Sequence, residues 1–334
     1  MEIYITFDYE VFLGPNVGSV DKCLIEPTNN LIKLARKHKV HFVFFIDVLF
    51  LLKMEEYKEL DSSINADYLK IITQLYELFD DGHDLQLHIH PHWYYSIYDI
   101  NRRKWSLDYT HYKLSDCSFS DIEIMFINSV TFLSKITGRK ITTYRAGGYS
   151  LPNNVLFFDM LNKYGILNDS SVFMLKKEFS DFQYYDYSTI KEYNKYSFNN
   201  DIQVECDKGC FTEFPISSIR INPICYYIYT LVIKLLNRDT IEIGDGKGVG
   251  DFNNKWKRVE KYYKRIISYV VIPASVDSIY SFWIKKIKKT IQSKSQNLLV
   301  IIGHPKRQTV YSIRNLDKFL SNLSKDDSVK TFYQ

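Results

Sequence analysis

The sequence predicts an α/β fold built on parallel strands, and three observations support this prediction. Short apolar runs alternate with amphipathic helical stretches through the first 175 residues, as in barrels and doubly wound sheets. The run at 40–46 is almost entirely apolar, which is typical of a parallel strand covered on both faces. Side chains with metal-ligand or acid–base chemistry follow three of the runs, at Asp8 and Glu10, at residues 88–92 and at His304.

Hydrophobic periodicity gives the elements of this first part of the chain. A Ser-x-x-Glu pattern at Ser120 and Glu123 predicts a helix start, and Gly138 predicts the end of that helix. The predicted strands are residues 2–7, 40–46, 83–89, 142–144 and 165–169, and the predicted helices are residues 27–39, 67–79, 120–137 and 153–164.

Two stretches interrupt this alternation. Residues 93–119 form a long aromatic and polar loop after the histidines, and loops of that length are often functional lids. Residues 176–297 are less regular, and we interpret them as an insertion or elaboration within a single domain that spans residues 1–334. The last predicted elements are a basic amphipathic helix at 279–291, a strand at 298–302, a helix at 313–323 and a closing segment at 329–333.

Composition narrows the class of protein. The chain has 43 Lys and Arg against 39 Asp and Glu, a balance that argues against nucleic acid as a partner. A core strand follows Met1 directly and the five cysteines are scattered, so a cytoplasmic location is expected. The apolar segment 224–236 is shorter than the about 20 residues that a membrane span needs. We therefore expect no contact with a membrane beyond a peripheral one.

The histidines indicate a metal site. His88, His90 and His92 stand at alternate positions where a predicted strand meets Pro91, and neutral imidazole is a common ligand of catalytic metals. Because Pro91 bends the chain, the three rings need not converge on one point.

Two imidazoles need a further ligand, and a carboxylate suits a catalytic site that keeps one position open. Asp8 and Glu10 end the first strand, at the rim where the histidines also lie in a parallel fold. Strand periodicity turns both carboxylates to one face, so one of them can bind metal while the other serves as a base.

Four motifs in this order resemble those of the polysaccharide deacetylases, the NodB-homology group of carbohydrate esterases. The resemblance covers residues 1–175 and 298–306 and is weak between them. The motifs are TFDYE at 6–10, GHDLQLHIHPH at 82–92, YRAGGY at 144–149 and IIGHP at 301–305.

This resemblance implies a distorted (β/α)7-type barrel with long inserted loops, and a divalent metal ion, usually zinc. It also implies hydrolysis of an acetyl group on a sugar. Carried over residue by residue, it makes Asp8 the general base, His88 and His92 metal ligands, Arg145 the residue that orients Asp8, and His304 the general acid.

The chain departs from the family pattern at Tyr9, where a second acid is usual, and Glu10 is expected to take that place as a metal ligand. His90 is an extra histidine, with a role beside the ligands or as an alternative ligand. Further substrate-binding or supporting roles are expected for Trp93 and Tyr149, and for Asp169 as a partner that tunes His304.

These expectations together describe a metal-dependent sugar deacetylase of the cytoplasm. Its expected substrate is a carbohydrate (a sugar nucleotide, a lipid-linked glycan or a polysaccharide), within lipopolysaccharide or capsule biosynthesis. Three alternatives stay open: an inactive relative that binds glycan or metal, an amide hydrolase acting on a small molecule that is not a sugar, and an amidohydrolase-type barrel. The last is ranked lowest because such barrels carry His-x-His on the first strand.

Overall fold

A computed structural model describes residues 1–236, 241–248 and 269–333 of the chain. Two parts of the predicted elaboration at 176–297, residues 237–240 and 249–268, lie outside the described residues. In chain order, the described strands are β1 (Glu2–Tyr9), β2 (Val43–Asp47), β3 (Asp84–Ile89), β4 (Ile97–Asp99), β5 (Lys104–Ser106), β6 (Thr143–Ala146), β7 (Asn168–Asp169), β8 (Lys177–Phe179), β9 (Tyr184–Asp186), β10 (Tyr196–Phe198), β11 (Phe211–Glu213), β12 (Ser218–Ile221), β13 (Val270–Pro273), β14 (Leu298–Gly303) and β15 (Ser328–Lys330).

The core of the fold is a curled sheet whose parallel strands follow the order β11-β7-β6-β3-β2-β1-β14. β10 adds an antiparallel edge beside β11, and β15 pairs with the first residues of β1. Beyond β11 the chain reaches back to the far edge of the sheet, where the Ser217 backbone N–H donates to Val300 O at 3.1 Å. The predicted fold class, a distorted barrel of parallel strands, is confirmed.

Helices cover the outside of this sheet. The helix Ser62–Asp80 begins where the Asp61 side chain accepts the backbone N–H groups of Ser63 and Ile64, a regular N-cap. The described α-helices are Glu26–His38, Val48–Tyr57, Ser62–Asp80, His92–Tyr95, Phe119–Thr137, Val155–Lys163, Pro223–Leu236, Ile284–Ser293 and Val310–Leu320.

Several predicted boundaries were wrong for local reasons. The capping residue of the helix Phe119–Thr137 is Ser118, which accepts from the Asp121 N–H, and not Ser120. The helix Val48–Tyr57 was missed because the apolar run of strand β2 resumes in it directly after Asp47, with no turn residue between them. The strand predicted at 165–169 is only two residues long, since Gly165 first turns the chain with φ of 75°.

The two irregular stretches contain more structure than the sequence indicated. The loop at 93–119 holds the hairpin β4–β5, and the described part of 176–297 holds β8 to β13 and the helix Pro223–Leu236. That helix leaves Ile224, Ile228, Leu231 and Leu235 exposed. Among the described residues, no helix combines the length and the apolar composition that crossing a membrane requires.

Candidate active site

The carboxyl ends of four neighbouring strands bring the predicted residues together. The register places Asp47 beside His88 and His88 beside Arg145, while Phe7 of β1 pairs with Gly303 of β14. Because the strands are parallel, the residues that follow them share one rim of the sheet.

Glu10, His88 and His90 form a compact group of ligand-type atoms at this rim. Glu10 Oε2 lies 2.6 Å from His90 Nε2 and 3.5 Å from His88 Nε2, and the two imidazole nitrogens are 3.0 Å apart. Ligand atoms about 2.1 Å from a tetrahedral ion lie roughly 3.4 Å from one another. The triangle therefore has nearly the size that a zinc-like ion requires.

The hydrogen bonds around this group also fit a metal ion. His88 Nδ1 lies 2.8 Å from the Arg145 carbonyl oxygen, which accepts a hydrogen bond from the protonated Nδ1. In the neutral ring, Nε2 is then the nitrogen that carries the lone pair. Glu10 Oε2 is buried without a hydrogen-bond partner among the described residues, despite its closeness to His90. Three ligand-type atoms that converge this closely in a buried position are suited to share a cation.

Gly147 makes room for the His90 ring. A Cβ atom at Gly147 would lie 2.6 Å from Ile89 O and 2.7 Å from His90 Nδ1, both too close for a real contact. The glycine that follows strand β6 is thus required by the position of a ligand-type histidine on β3.

The electrostatic field at the group favours positive charge. Burial would lower the pKa of His88, but Asp8, Glu10 and Asp47 outweigh it and raise that pKa to about 9. Asp47 itself is buried, with its pKa raised to about 8, and its Oδ2 has no hydrogen-bond partner among the described residues. Clustered acids of this kind attract a cation.

Arg145 fixes Asp8 beside the ligand-type group. Its Nη1 donates to Asp8 Oδ1 at 2.7 Å and to Thr6 Oγ1 at 2.9 Å, and its other nitrogens bond Ser170. Burial would raise the pKa of Asp8, but Arg145, together with His88 and His304, lowers it. Asp8 is therefore an ionised carboxylate in a fixed orientation.

His304 faces the two acids from the end of the neighbouring strand β14. Its Nε2 lies 3.5 Å from Asp8 Oδ2 and 3.6 Å from Glu10 Oε1, while Nδ1 lies 2.7 Å from Asp277 Oδ2. Burial would lower the pKa of His304, but Asp277 and the site acids raise it. The ring is held in place as a proton donor directed at the rim.

His92 and Trp93 lie apart from the convergent group. Pro91 starts a short helix, which turns the His92 ring away to stack on Tyr112 at 5.5 Å between ring centroids. Both His92 nitrogens are buried without a hydrogen-bond partner among the described residues, and burial lowers its pKa well below the usual value. Trp93 is fully buried against Phe50 and Trp105, so its ring is not open to a substrate.

Tyr149 and Asp169 have different surroundings. Tyr149 follows the Gly147 turn with φ of 61°, and burial with the charge of Asp8 raises its pKa, so it borders the site. Asp169 is buried beside Glu213 and accepts the Ser171 N–H at 2.7 Å. The partner of His304 in the structure is Asp277 and not Asp169.

Sequence reasoning missed three residues of the site: Asp47, Asp277 and Lys306. The position of Asp47 at the end of a buried strand and that of Lys306 two residues after His304 were available signals. Lys306 Nζ donates to Glu10 Oε1 at 2.8 Å and to Val11 O at 2.7 Å. Nothing in the local sequence marks Asp277, which precedes His304 by 27 residues.

Comparisons with known proteins give few matches. No protein-family model and no curated protein matches the chain, and four chains of solved structures do. One is a protein from Mycobacterium smegmatis provisionally named a polysaccharide deacetylase: 11% identity, 98% of this chain and 86% of that one, TM-score 0.49. Another is the Xyl-CE4 domain of a multidomain xylanase from the hindgut metagenome of Trinervitermes trinervoides. It shows 14% identity and a TM-score of 0.27, and the match covers 47% of this chain and 53% of that one.

Both TM-scores are below 0.5, so the functional proposal below depends on the geometry of the site.

Proposed function

We propose that this chain is a metal-dependent hydrolase that removes an acetyl group, in the first place an N-acetyl group, from a carbohydrate. The observation that carries the proposal is the convergence of three units on one point of the rim. These units are the ligand-type group Glu10–His88–His90, the Asp8–Arg145 pair and the His304–Asp277 pair.

Glu10, His88 and His90 would hold the divalent ion, for which zinc is the expected identity. Such an ion supplies Lewis acidity, which polarises a carbonyl and lowers the pKa of a bound water toward about 7. The proposal gives His90, rather than the expected His92, the place of the second imidazole ligand because only His90 lies within reach of Glu10.

Asp8 is the general base in this proposal. Its Oδ1 is engaged by Arg145, while Oδ2 faces His304 and the space between the strands, where it can accept a proton from water. The guanidinium group keeps Asp8 ionised and holds the carboxylate in one orientation, so that Oδ2 is free to accept a proton.

His304 is the general acid. An amine is expelled poorly as an anion, so cleavage of an amide needs a proton at the leaving nitrogen. The raised pKa of His304 keeps that proton available. Asp277 holds the residue in place by accepting hydrogen bonds from its ring Nδ1 and from its backbone N–H.

The substrate and setting are proposals of the same kind. A sugar nucleotide, a lipid-linked glycan or a polysaccharide of the lipopolysaccharide or capsule type agrees with the deacetylase motifs, and a cytoplasmic location agrees with the scattered cysteines, all unpaired in the structure. Peripheral membrane contact stays a prediction, and the exposed apolar side of Pro223–Leu236 is where it would occur.

Paired variants test the division of roles. We expect Asp8→Asn to retain the metal yet release no acetate from N-acetylated sugars, and Glu10→Gln to lose both metal and turnover. Elemental analysis beside an acetate assay gives both readouts. Loss of metal from Asp8→Asn would make Asp8 a ligand, and a metal-loaded wild type that is inert on N- and O-acetyl sugars would favour the inactive binding protein.

A further inference from the structure

A groove of about 830 Å³ lies outside the catalytic rim. Its walls are the segment before the helix Phe119–Thr137, the start of the helix Val155–Lys163 and the hairpin β8–β9. None of the residues assigned a catalytic or metal-binding role above lines it.

Most polar side chains along this groove are already engaged. Asn153 uses both ends of its amide, with Nδ2 donating to Asp201 at 2.7 Å and Oδ1 accepting the Ile202 N–H at 3.0 Å. Asn154 Oδ1 caps the following helix by accepting the Phe157 N–H.

The same holds on the hairpin side. Ser150 Oγ accepts the Tyr184 N–H at 2.9 Å, and Asp186 Oδ1 accepts both the N–H and the hydroxyl of Ser188. A ligand that needs many hydrogen bonds, such as a sugar chain, would have to compete with these intramolecular bonds.

Apolar side chains are exposed along the groove. Leu156 is 62% exposed, Phe179 56% and Val155 50%, and the Tyr184 ring beside Phe179 is 65% exposed. Among the described residues, no Lys, Arg or His lines the groove, so these residues offer no positive charge to a phosphate group. Its chemistry suits a neutral hydrocarbon.

One end of the groove adjoins the catalytic rim. The Tyr187 hydroxyl donates to Tyr149 O at 3.0 Å, and the Tyr149 ring packs on Tyr185 at 5.8 Å. Tyr149 in turn borders Asp8, whose charge contributes to its raised pKa. Tyr149 therefore links the groove, through Tyr185 and Tyr187, to the turn at Gly147 that lies against the His90 ring.

We propose that this groove binds the hydrocarbon chain of an amphiphilic ligand. That this ligand is the substrate, with its sugar at the rim and its chain in the groove, rests on the proposed function. Binding of the chain itself does not depend on turnover.

Isothermal titration with submicellar methyl, hexyl, heptyl and octyl β-glucosides tests the inference. Burial of one more methylene is expected to tighten Kd about fourfold, so affinity should rise steadily along the series. Leu156→Lys should weaken octyl glucoside at least tenfold. Leu60→Lys is the matched control, because Leu60 is also 62% exposed but lies elsewhere, and its Kd should equal that of the wild type.

Equal affinity across the series, or equal weakening by both lysine variants, would overturn the proposal. Binding of chitotetraose that is lost in Leu156→Lys would also overturn it, since the groove would then hold sugar units. Acetate release from octyl and methyl N-acetylglucosaminides separates the two proposals. Binding that depends on the length of the alkyl chain, without acetate release, supports the groove assignment and contradicts the proposed enzyme. Acetate release with no dependence of binding on alkyl-chain length supports the enzyme and overturns the groove assignment.

Discussion

Lys306 holds one oxygen of the Glu10 carboxylate and leaves the other facing the two imidazoles. Its Nζ lies 2.8 Å from Oε1, while Oε2 lies 2.6 Å from His90 Nε2. Both side chains are almost fully buried, so the lysine also compensates a carboxylate that would otherwise be costly to place there. An ammonium group thus determines which oxygen of Glu10 is available to a cation.

Lys306→Met should therefore weaken metal binding. Without the ammonium group, the Glu10 carboxylate loses its fixed orientation, and removal of such a supporting contact typically costs 10- to 100-fold in metal affinity. Competition with a chromogenic chelator measures the change. Lys53→Met removes another buried lysine, whose one hydrogen-bond partner among the described residues is Glu56, and should leave the affinity unchanged. Unaltered affinity in Lys306→Met would show that Glu10 needs no such support.

Asp277→Asn should lower kcat on N-acetylated sugars by about 100-fold with little change in KM or metal content, because Asp277 positions the His304 ring and favours its protonated form. If Asp277 acts by helping His304 to donate a proton, the loss of activity should depend on whether the leaving group needs that proton. Nitrophenolate leaves without a proton, so hydrolysis of p-nitrophenyl acetate should be nearly unaffected. An equal loss on both substrates would indicate general damage to the site and not a missing proton donor.

The sequence predicted the rim because the strand ends are visible in it. Asp8, His88 and His304 each stand at the end of a mainly apolar run, and parallel strands bring such positions together. Strand periodicity also placed His88 and His90 on one face, but the spacing typical of the family favoured His92. The choice between His90 and His92 depends on whether the chain continues as a strand at Pro91 or starts a helix there. Tertiary packing determines which of the two occurs.

Other parts of the site depend on contacts between distant segments. Asp277 reaches His304 because residues 274–276 hydrogen-bond to Ile302 and run beside strand β14. Lys306 turns back to Glu10 within a short helical turn at Pro305–Arg307. The contact of Asp277 has no signature in the local sequence, and the irregular stretch before 297 gave no register from which to infer it. The position of Lys306 after His304 placed it near the rim but did not identify Glu10 as its partner.

Gly147→Ala should disturb the metal group without unfolding the protein. Its Cβ atom would press on Ile89 O and His90 Nδ1, so the ring cannot keep its present position beside Glu10. We expect metal affinity to fall by about tenfold or more, measured by chelator competition. Gly138→Ala is the control: it strains a backbone at φ of 62° in open space, so it should lower stability and leave metal affinity intact. The reverse pattern would contradict a packing role for Gly147.

His83 should make the stability of the fold depend on pH. Burial lowers its pKa to about 4, and its Nδ1 accepts the Phe42 N–H at 2.9 Å, a bond that requires the neutral ring. Between pH 6.5 and 4 the unfolded chain binds a proton at this residue that the folded chain does not, so stability falls as the pH is lowered. The contribution of His83 to that loss is at most about 3 kcal/mol.

His83→Asn keeps an acceptor near the Nδ1 position and cannot titrate. Its free energy of unfolding, from urea titrations at pH 7, 6, 5 and 4.5, should therefore decline less steeply than that of the wild type, whatever constant offset the smaller side chain causes. Parallel curves for the two proteins would exclude His83 as a source of the acid sensitivity.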